Sequence, residues 1–361
     1  MRIALLLLPV LVHGAAFFET GAVRQSDDGA YHINAYPQVN RLASGRLLAV
    51  WSVQAKGSRD SRVAAALSND GGRTWSEPKT LVDHPTLFDG DPNTLLDGKR
   101  VFVYVTSRDI NPPFAKSMTF MTRSDDEGLT WSAPVEIAIP RNYVSGKQHN
   151  GIKLRDGSLF MGICWDLWAE KGTAPGTESS SHGVVAAMRS GDGVDWSPFG
   201  ELSAHYPKVS SFSVSGLDEP SFVELEGGEI FMLMRSGTAR HREARSRDGG
   251  ITWSLPKPSA LTGHNTPANL WRLDGSPEIV VIWNHSPINR YPLSVALSAD
   301  GGRTWSPPRN VAESDGPQIS YPGIAQAADR TFVAVWQQQL KEGGRAVRWA
   351  RFNREWVLEG K

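Results

Sequence analysis

Nine polar residues stand at the openings of apolar, strand-like runs: Asp91 and Asn93, His149 and Asn150, Asp218 and Glu219, His264 and Asn265, and Tyr321. A strand with only a structural role would open on apolar or turn residues. Carboxylates, imidazoles, amides and a phenol can together donate and accept hydrogen bonds, and a concave set of them suits the hydroxyls of a sugar. These residues lie far apart in the chain. Their chemistry therefore depends on a fold that brings the strand openings together.

An internal repeat supplies that fold. Four segments share one pattern: Ser68-Asn-Asp-Gly-Gly-Arg-Thr-Trp75, Ser124-Asp-Asp-Glu-Gly-Leu-Thr-Trp131, Ser246-Arg-Asp-Gly-Gly-Ile-Thr-Trp253 and Ser298-Ala-Asp-Gly-Gly-Arg-Thr-Trp305. A weaker copy runs Ser190-Gly-Asp-Gly-Val-Asp-Trp196, and the starting serines lie 56, 66, 56 and 52 residues apart. Periods of this size correspond to propeller blades of about four strands each. In each copy Asp can bond backbone amides across a tight turn, Gly accepts a positive φ, and Trp caps the hairpin with its ring. These residues are structural, and one Asp per copy is too sparse an oxygen set for a metal.

Alternating apolar strands precede the repeats, as Arg46–Trp51 and Val63–Leu67 do before the first. Innermost strands are expected to begin near Tyr36, Asp91, His149, Asp218, Asn265 and Tyr321. That count predicts an all-β, six-bladed β-propeller of four-stranded antiparallel blades. The sixth blade lacks a repeat hairpin; Val347–Phe352 reads as its third strand, and Phe17–Val23 as an outer strand that closes the ring. In such a ring the polar strand openings converge at one mouth of a central channel.

The run Ile3–Val12 behind Met1-Arg2, followed by Gly14-Ala15-Ala16, reads as a secretory signal over residues 1–16, and residues 17–361 as one propeller domain. A secreted protein, free of the membrane once the signal is cleaved and monomeric, is expected. The 38 basic and 38 acidic residues are interspersed, a distribution that points away from nucleic acid. Cys164 is the single cysteine, so a large core must replace disulfides. Asn284-His-Ser286 is a glycosylation acceptor pattern, read equally as a structural Asn.

Segments outside the hairpins carry a resemblance. Asp218-Glu219-Pro220 followed by Phe231-Met-Leu-Met-Arg235, then Arg290-Tyr-Pro before the fourth strong repeat, and Ser320-Tyr321-Pro-Gly-Ile324, occur in the order seen in the sialidase superfamily with its Asp-box (BNR) repeats. The chain resembles that superfamily over nearly all of 17–361. The resemblance implies a retaining exo-glycosidase acting on terminal acidic, sialic-acid-like sugars of glycans, without cofactor or metal. It implies Tyr321 as nucleophile, Glu219 as the group that takes its proton, and Asp60 as acid/base, although Asp60 reads equally as a solvated loop carboxylate beside Arg59 and Arg62. Tyrosine nucleophiles are the known sialidase exception to the two-carboxylate rule, and a neutral phenol approaches an anionic substrate without repulsion. Arg235 and Arg290 are expected to bind the substrate carboxylate, with Asp91 and His149 also on the substrate.

One position departs from the pattern. The family opens its first blade on an Arg-Ile-Pro motif whose arginine completes a carboxylate clamp, and Asn34-Ala-Tyr-Pro37 places Ala35 there. Arg41, six residues on, lies about 20 Å deeper at roughly 3.3 Å per residue, whereas Arg59 or Arg62 could swing in from the next loop. Two other readings therefore stay open. One is a propeller lyase acting on a uronic-acid linkage such as rhamnosyl-glucuronate, with His149 or Tyr321 abstracting a proton. The other is a non-catalytic carbohydrate-binding propeller.

Overall fold

A computed structural model of the chain describes residues 15–110, 117–139, 144–145, 149–166, 183–204, 216–314 and 317–359. The signal segment expected at 1–16 thus lies outside the described residues except for its last two. The described residues form twenty-five strands and one short helix, Arg354–Leu358, capped by the Asn353 side chain, which accepts a bond from the Trp356 amide.

Four sheets stand separately. One contains Leu87–Asp97, Arg100–Asp109, Ser117–Ser124 and Val135–Ile137. A second sets Val144–Ser145 and Ile152–Lys153 along Leu159–Asp166, then adds Gly183–Ser190 and Ser197–Ser203. A third runs Leu217–Glu224, Ile230–Ser236, Arg240–Ser246, Lys257–Thr262, and a fourth Asn269–Arg272, Ile279–Asn284, Leu293–Ser298, Arg309–Ala312. The other eight strands form a single sheet. It combines Ile33–Arg41, Leu47–Gln54, Arg62–Ser68 and Lys79–Val82 with Ile319–Gln326, Phe332–Gln339, Arg345–Phe352 and Phe18–Arg24.

The chain is thus an all-β, propeller-like arrangement of antiparallel, mostly four-stranded sheets. The expectation of six separate blades needs correction, because hydrogen bonding gives four separate sheets and one of eight strands. Ile33 bonds in parallel with Arg345 and carries the ladder across. The outer strand expected near residues 17–23 is found antiparallel to the last long strand, with Phe18 opposite Phe352.

Apolar clusters fill the space between neighbouring strand groups. Val50 and Val63 meet Val101 and Val103; Leu95 and Tyr104 meet Met161 and Trp196; Phe160 and Cys164 meet Phe222 and Met232. Phe231 and Leu233 meet Val281 and Trp283, Val295 meets Ile324 and Phe332, and Ala325 with Val335 meets Val39 and Trp51. The packing therefore returns from the last strand group to the first. Burial on this scale supplies the stability that a chain with one cysteine cannot draw from disulfides.

The repeat hairpins carry the bonds their composition requires. Ser68 Oγ donates to Asp70 Oδ1 at 2.9 Å, the Gly72 amide donates to Ser68 Oγ at 2.9 Å, and the Thr74 hydroxyl donates to Asp70 Oδ2 at 2.6 Å. Gly72 sits at φ 94°, a conformation that strains any residue with a Cβ. The same bonds recur around Asp126, Asp248 and Asp300, and Trp75 Nε1 closes the turn onto the Gly72 carbonyl. Every oxygen of these aspartates that the turn uses faces the hairpin itself.

Candidate active site at the strand openings

The candidate site is built on a repeated backbone distortion. Tyr36, Asp91, Glu219 and Tyr321 have φ of 54°, 48°, 40° and 53°, and each is followed by Pro. Around each one the strand register slips by a residue: Ala35 lies opposite Ser52 but Gln38 opposite Val50, and Asp218 opposite Arg235 but Ser221 opposite Leu233. The slips between Gly90 and Asn93 and between Ser320 and Gly323 are the same. Each is a β-bulge, in which Pro sits comfortably because the extra residue makes no ladder bond. Asn265 takes the same conformation, φ 50°, on the approach to a fifth inner strand. A non-glycine residue held left-handed costs on the order of 1–3 kcal/mol, and such strain gathers where a side chain must be aimed.

The aimed side chains meet around Arg235. Its Nη1 pairs with Glu219 Oε1 at 2.8 Å and lies 3.8 Å from Asp218 Oδ2, and both partners of the closer pair are buried. Nε and Nη2 of Arg235 donate to Asn265 Oδ1 at 3.0 and 2.8 Å. The Asn265 backbone carbonyl accepts from Arg290 Nη2 at 2.7 Å, so one asparagine fastens both arginines. The Arg290 guanidinium lies 5.4 Å from the centre of the Tyr321 ring, and the Tyr36 ring meets Tyr321 edge-on at 4.7 Å. Glu219 Oε2 is buried and has no hydrogen-bond partner among the described residues.

Electrostatics tie the same residues together. Burial pushes the Tyr321 phenol pKa up and the Glu219 charge adds to this, while Arg290 and Arg235 pull it down and Asp91 raises it. The phenol is thus protonated at neutral pH, with a carboxylate and two guanidiniums close enough to act on it. Burial opposes the Arg235 charge, but Glu219, Tyr321 and Asp218 outweigh it and hold the pKa well above the ordinary value.

Four of the seven expected site residues, Glu219, Arg235, Arg290 and Tyr321, are therefore brought together, and Asp91, on the same kind of bulge, acts on Tyr321 through its charge. Asp60 accepts a hydrogen bond from Ser58 on its own loop. The next residue, Ser61, is pinned to the opening of the second inner strand, its amide donating to the Leu87 carbonyl and its hydroxyl to that of Asp89. Asp60 thus lies on the loop tied to the opening of that strand. The arginines expected to pair with it or swing inward are engaged elsewhere: Arg59 donates to the Ile110 carbonyl at 2.6 Å, and Arg62 donates to that of Ala30 and stacks over Tyr31. Arg41 pairs with Asp274 at 2.5 Å, at the other end of its strand.

His149 lies deeper than a residue at an open mouth. It is buried, its Nδ1 is 3.1 Å from Asn269 Nδ2, and burial lowers its pKa to about 3. A base that weak accepts a proton poorly at neutral pH. His241 is also buried, with its pKa lowered to about 4. Both imidazoles stay neutral in the folded chain while an unfolded chain protonates them near pH 6.5. Their contribution to stability is full above that value and is lost as pH falls towards about 4 and 3. The unfolding temperature is therefore expected to fall steadily from pH 7 to pH 4.5, and less steeply in His241→Asn; equal slopes in both proteins would contradict this.

Three site contributions escaped the sequence. Asn265 is polar in sequence, but its clasp on two arginines depends on contacts that sequence does not display. Cys164, read only as unpaired, donates its thiol to Asp218 Oδ1, which also accepts from the Glu219 amide at 3.0 Å. Tyr36 adjoins the anomalous Ala35, and its Tyr-Pro dipeptide, the same as that of Tyr321, is the signal in sequence that marks it. The glycosylation pattern is also resolved, since Asn284 is fully buried and spends its amide on the Ile319 carbonyl at 2.9 Å and its oxygen on Thr266.

A separate cavity of about 360 Å³ opens at the opposite ends of the inner strands, beside Asn40, Asn150, Lys153, Arg155, Trp271 and Arg272. Thr94, bonded to both Asn40 and Asn150, helps to plug the channel between the two ends. Lys153 is paired with Asp97 at 2.5 Å and Arg272 bonds the Glu224 carbonyl at 3.4 Å. None of the left-handed residues lines it.

Comparison with known proteins agrees with this architecture. A family model described as a BNR repeat-like domain matches residues 45–335. A sialidase of Bacteroides fragilis is 22% identical over 363 residues, covering 88% of this chain; the chain spans 62% of that relative's length. A Hadza microbial sialidase of known structure superposes with a TM-score of 0.77 at 18% identity, over 94% of this chain and 69% of the other. A Trypanosoma rangeli sialidase, solved as a covalent intermediate with 2,3-difluorosialic acid, superposes with a TM-score of 0.73 at 12% identity, over 92% of this chain and 58% of the other. The chain belongs to the family of BNR repeat-like domains and shares its fold with sialidases.

Proposed function

We propose that the protein is a secreted exo-glycosidase of sialidase type, which removes terminal acidic sugars from glycans with retention at the anomeric carbon. The observation that carries this reading is the environment of Tyr321: a protonated phenol beside the Arg290 guanidinium and near the Arg235–Glu219 pair, whose buried Glu219 Oε2 has no partner among the described residues. Tyr321 attacks the anomeric carbon as Glu219 takes its proton, and the glycosidic oxygen leaves with a proton from Asp60. Water then displaces the tyrosine, giving a proton to Asp60 while Glu219 returns the phenolic proton to Tyr321, so both carboxyl groups are restored and two inversions give retention. Arg235 and Arg290 hold the carboxylate of the sugar, with Asn265 fixing their spacing. Asp91 lies against the sugar, whereas His149 supports the floor from beneath.

In the same reading, residues 1–16 direct export, the mature chain works as a monomer, and no cofactor takes part. The eight-stranded sheet counts as two blades that share the single Ile33–Arg345 bridge, giving six. The clusters between successive strand groups, the last of which packs on the first, support that count.

The test is a turnover assay of the mature chain on a sialyl-aryl glycoside and on a rhamnosyl-glucuronate disaccharide. Free sugar without new ultraviolet absorbance is expected from the first and no reaction from the second. An unsaturated, absorbing product would replace hydrolysis by a lyase reaction, and binding without turnover across a glycan panel would make the protein a carbohydrate-binding module.

A further inference from the structure

We infer that Tyr36 is a specificity-determining residue of this site, a neutral hydrogen-bond donor that meets the acidic group of the substrate alongside the two arginines. The inference rests on the glycosidase reading and narrows its substrate class: a terminal sugar whose acid group, next to the reacting carbon, is held by two guanidiniums and a phenol instead of by cations alone.

The first argument is conformational. Tyr36 shares the left-handed, pre-proline bulge of Asp91, Glu219 and Tyr321; of those three side chains, Glu219 and Tyr321 belong to the cluster and Asp91 acts on it through its charge. The bulge itself makes no demand for an aromatic residue, so the strain at Tyr36 aims its side chain as it aims the others. The second is bracing. The Tyr36 amide donates to Gln337 Oε1 at 3.1 Å, and Gln337 Nε2 donates to the hydroxyl of Ser320 at 2.9 Å, the residue before Tyr321. One glutamine thus sets the spacing of both tyrosines. Their rings meet edge to face at 85°, and Arg290 lies over the same Tyr321 ring.

The third argument concerns what else could reach this corner. Ala35 is buried and offers only a methyl. Of the neighbouring arginines, Arg41 pairs with Asp274, Arg59 donates to the Ile110 carbonyl, Arg62 donates to the Ala30 carbonyl, and Arg108 stacks over the Phe88 ring at 4.7 Å. Burial, reinforced by Tyr321 and Asp91, pushes the Tyr36 phenol pKa well up against the pull of Arg108 and Arg345. The hydroxyl therefore keeps its proton and acts as a donor. A neutral donor binds a carboxylate less strongly than a cation does but orients it as well.

The test separates the hydroxyl from the ring. Tyr36→Phe keeps the edge-on packing and removes only the donor, with Tyr36→Leu as a second hydroxyl-free protein should the first fail to fold. Inhibition of sialyl-aryl glycoside turnover is measured with N-acetylneuraminic acid and with its methyl ester, which lacks the charge. Tyr36→Phe is expected to raise KM about 10-fold, leave kcat within about 3-fold, and cut the preference for the acid over the ester about 10-fold, the scale of one hydrogen bond to a charged group. Unchanged KM and preference in a folded variant would make Tyr36 a packing residue and overturn the inference while leaving the glycosidase reading intact. A wild-type protein that neither turns over the glycoside nor binds N-acetylneuraminic acid would overturn both.

Discussion

Replacing Tyr321 by Phe is expected to lower turnover of a sialyl-aryl glycoside by about a thousandfold or more, because it removes the oxygen that forms the covalent bond, and a carboxylate in its place would meet the negative charge of the substrate. Phe keeps the ring that Tyr36 and Arg290 pack against, and no hydrogen bond to the Tyr321 hydroxyl contributes to the fold among the described residues. The unfolding temperature should therefore stay within a degree or two, and the affinity for N-acetylneuraminic acid within a few-fold. The diagnostic pattern is a loss confined to kcat, read from steady-state kinetics beside calorimetric binding. Equal turnover by the Phe protein would remove the nucleophile from this account.

Arg235→Ala should be damaging in two ways at once. The side chains of Arg235 and Glu219 are 10% and 6% exposed, and their pair at 2.8 Å is one of the few charged contacts this deep. Removing the guanidinium leaves the Glu219 carboxylate buried without its partner, which costs about 3–5 kcal/mol, and also frees Asn265 from the bonds that space the two arginines. Urea unfolding should show the loss, and kcat/KM should fall at least 100-fold. Arg235→Met combined with Glu219→Gln removes the buried charge, so stability should largely return while turnover does not. If Arg235→Ala unfolded at the wild-type urea concentration, the pair would not hold the site together as described.

Much of this architecture was legible because its causes are local. Ser68, Asp70, Gly72, Thr74 and Trp75 bond one another within eight residues, so their spacing announces the hairpin. The bulges were half visible: Asp91-Pro92, Glu219-Pro220 and Tyr321-Pro322 marked the strand openings, but sequence alone does not show that the residue before each Pro turns left-handed. Glu219, Arg235, Arg290 and Tyr321 were found by their order along the chain, which a shared ancestral fold preserves. What remained hidden depends on contacts between distant segments. Gln337 reaching Tyr36, Cys164 reaching Asp218 and Asn265 reaching two arginines each join separate strands. The depth of His149 is of the same kind, set by what packs over it and not by its neighbours in sequence. The number of separate sheets turned on one bridge, Ile33 to Arg345, between the two ends of the chain.

In the proposed mechanism Tyr321 becomes bonded to the sugar. Incubating the mature protein with 2,3-difluorosialic acid, followed by proteolysis and mass spectrometry, tests it directly. A single added glycosyl group is expected on the peptide containing Tyr321, with loss of activity in step and no adduct in Tyr321→Phe; hydrolysis of sialosides with the adduct on another residue, or with none, would contradict a tyrosine nucleophile.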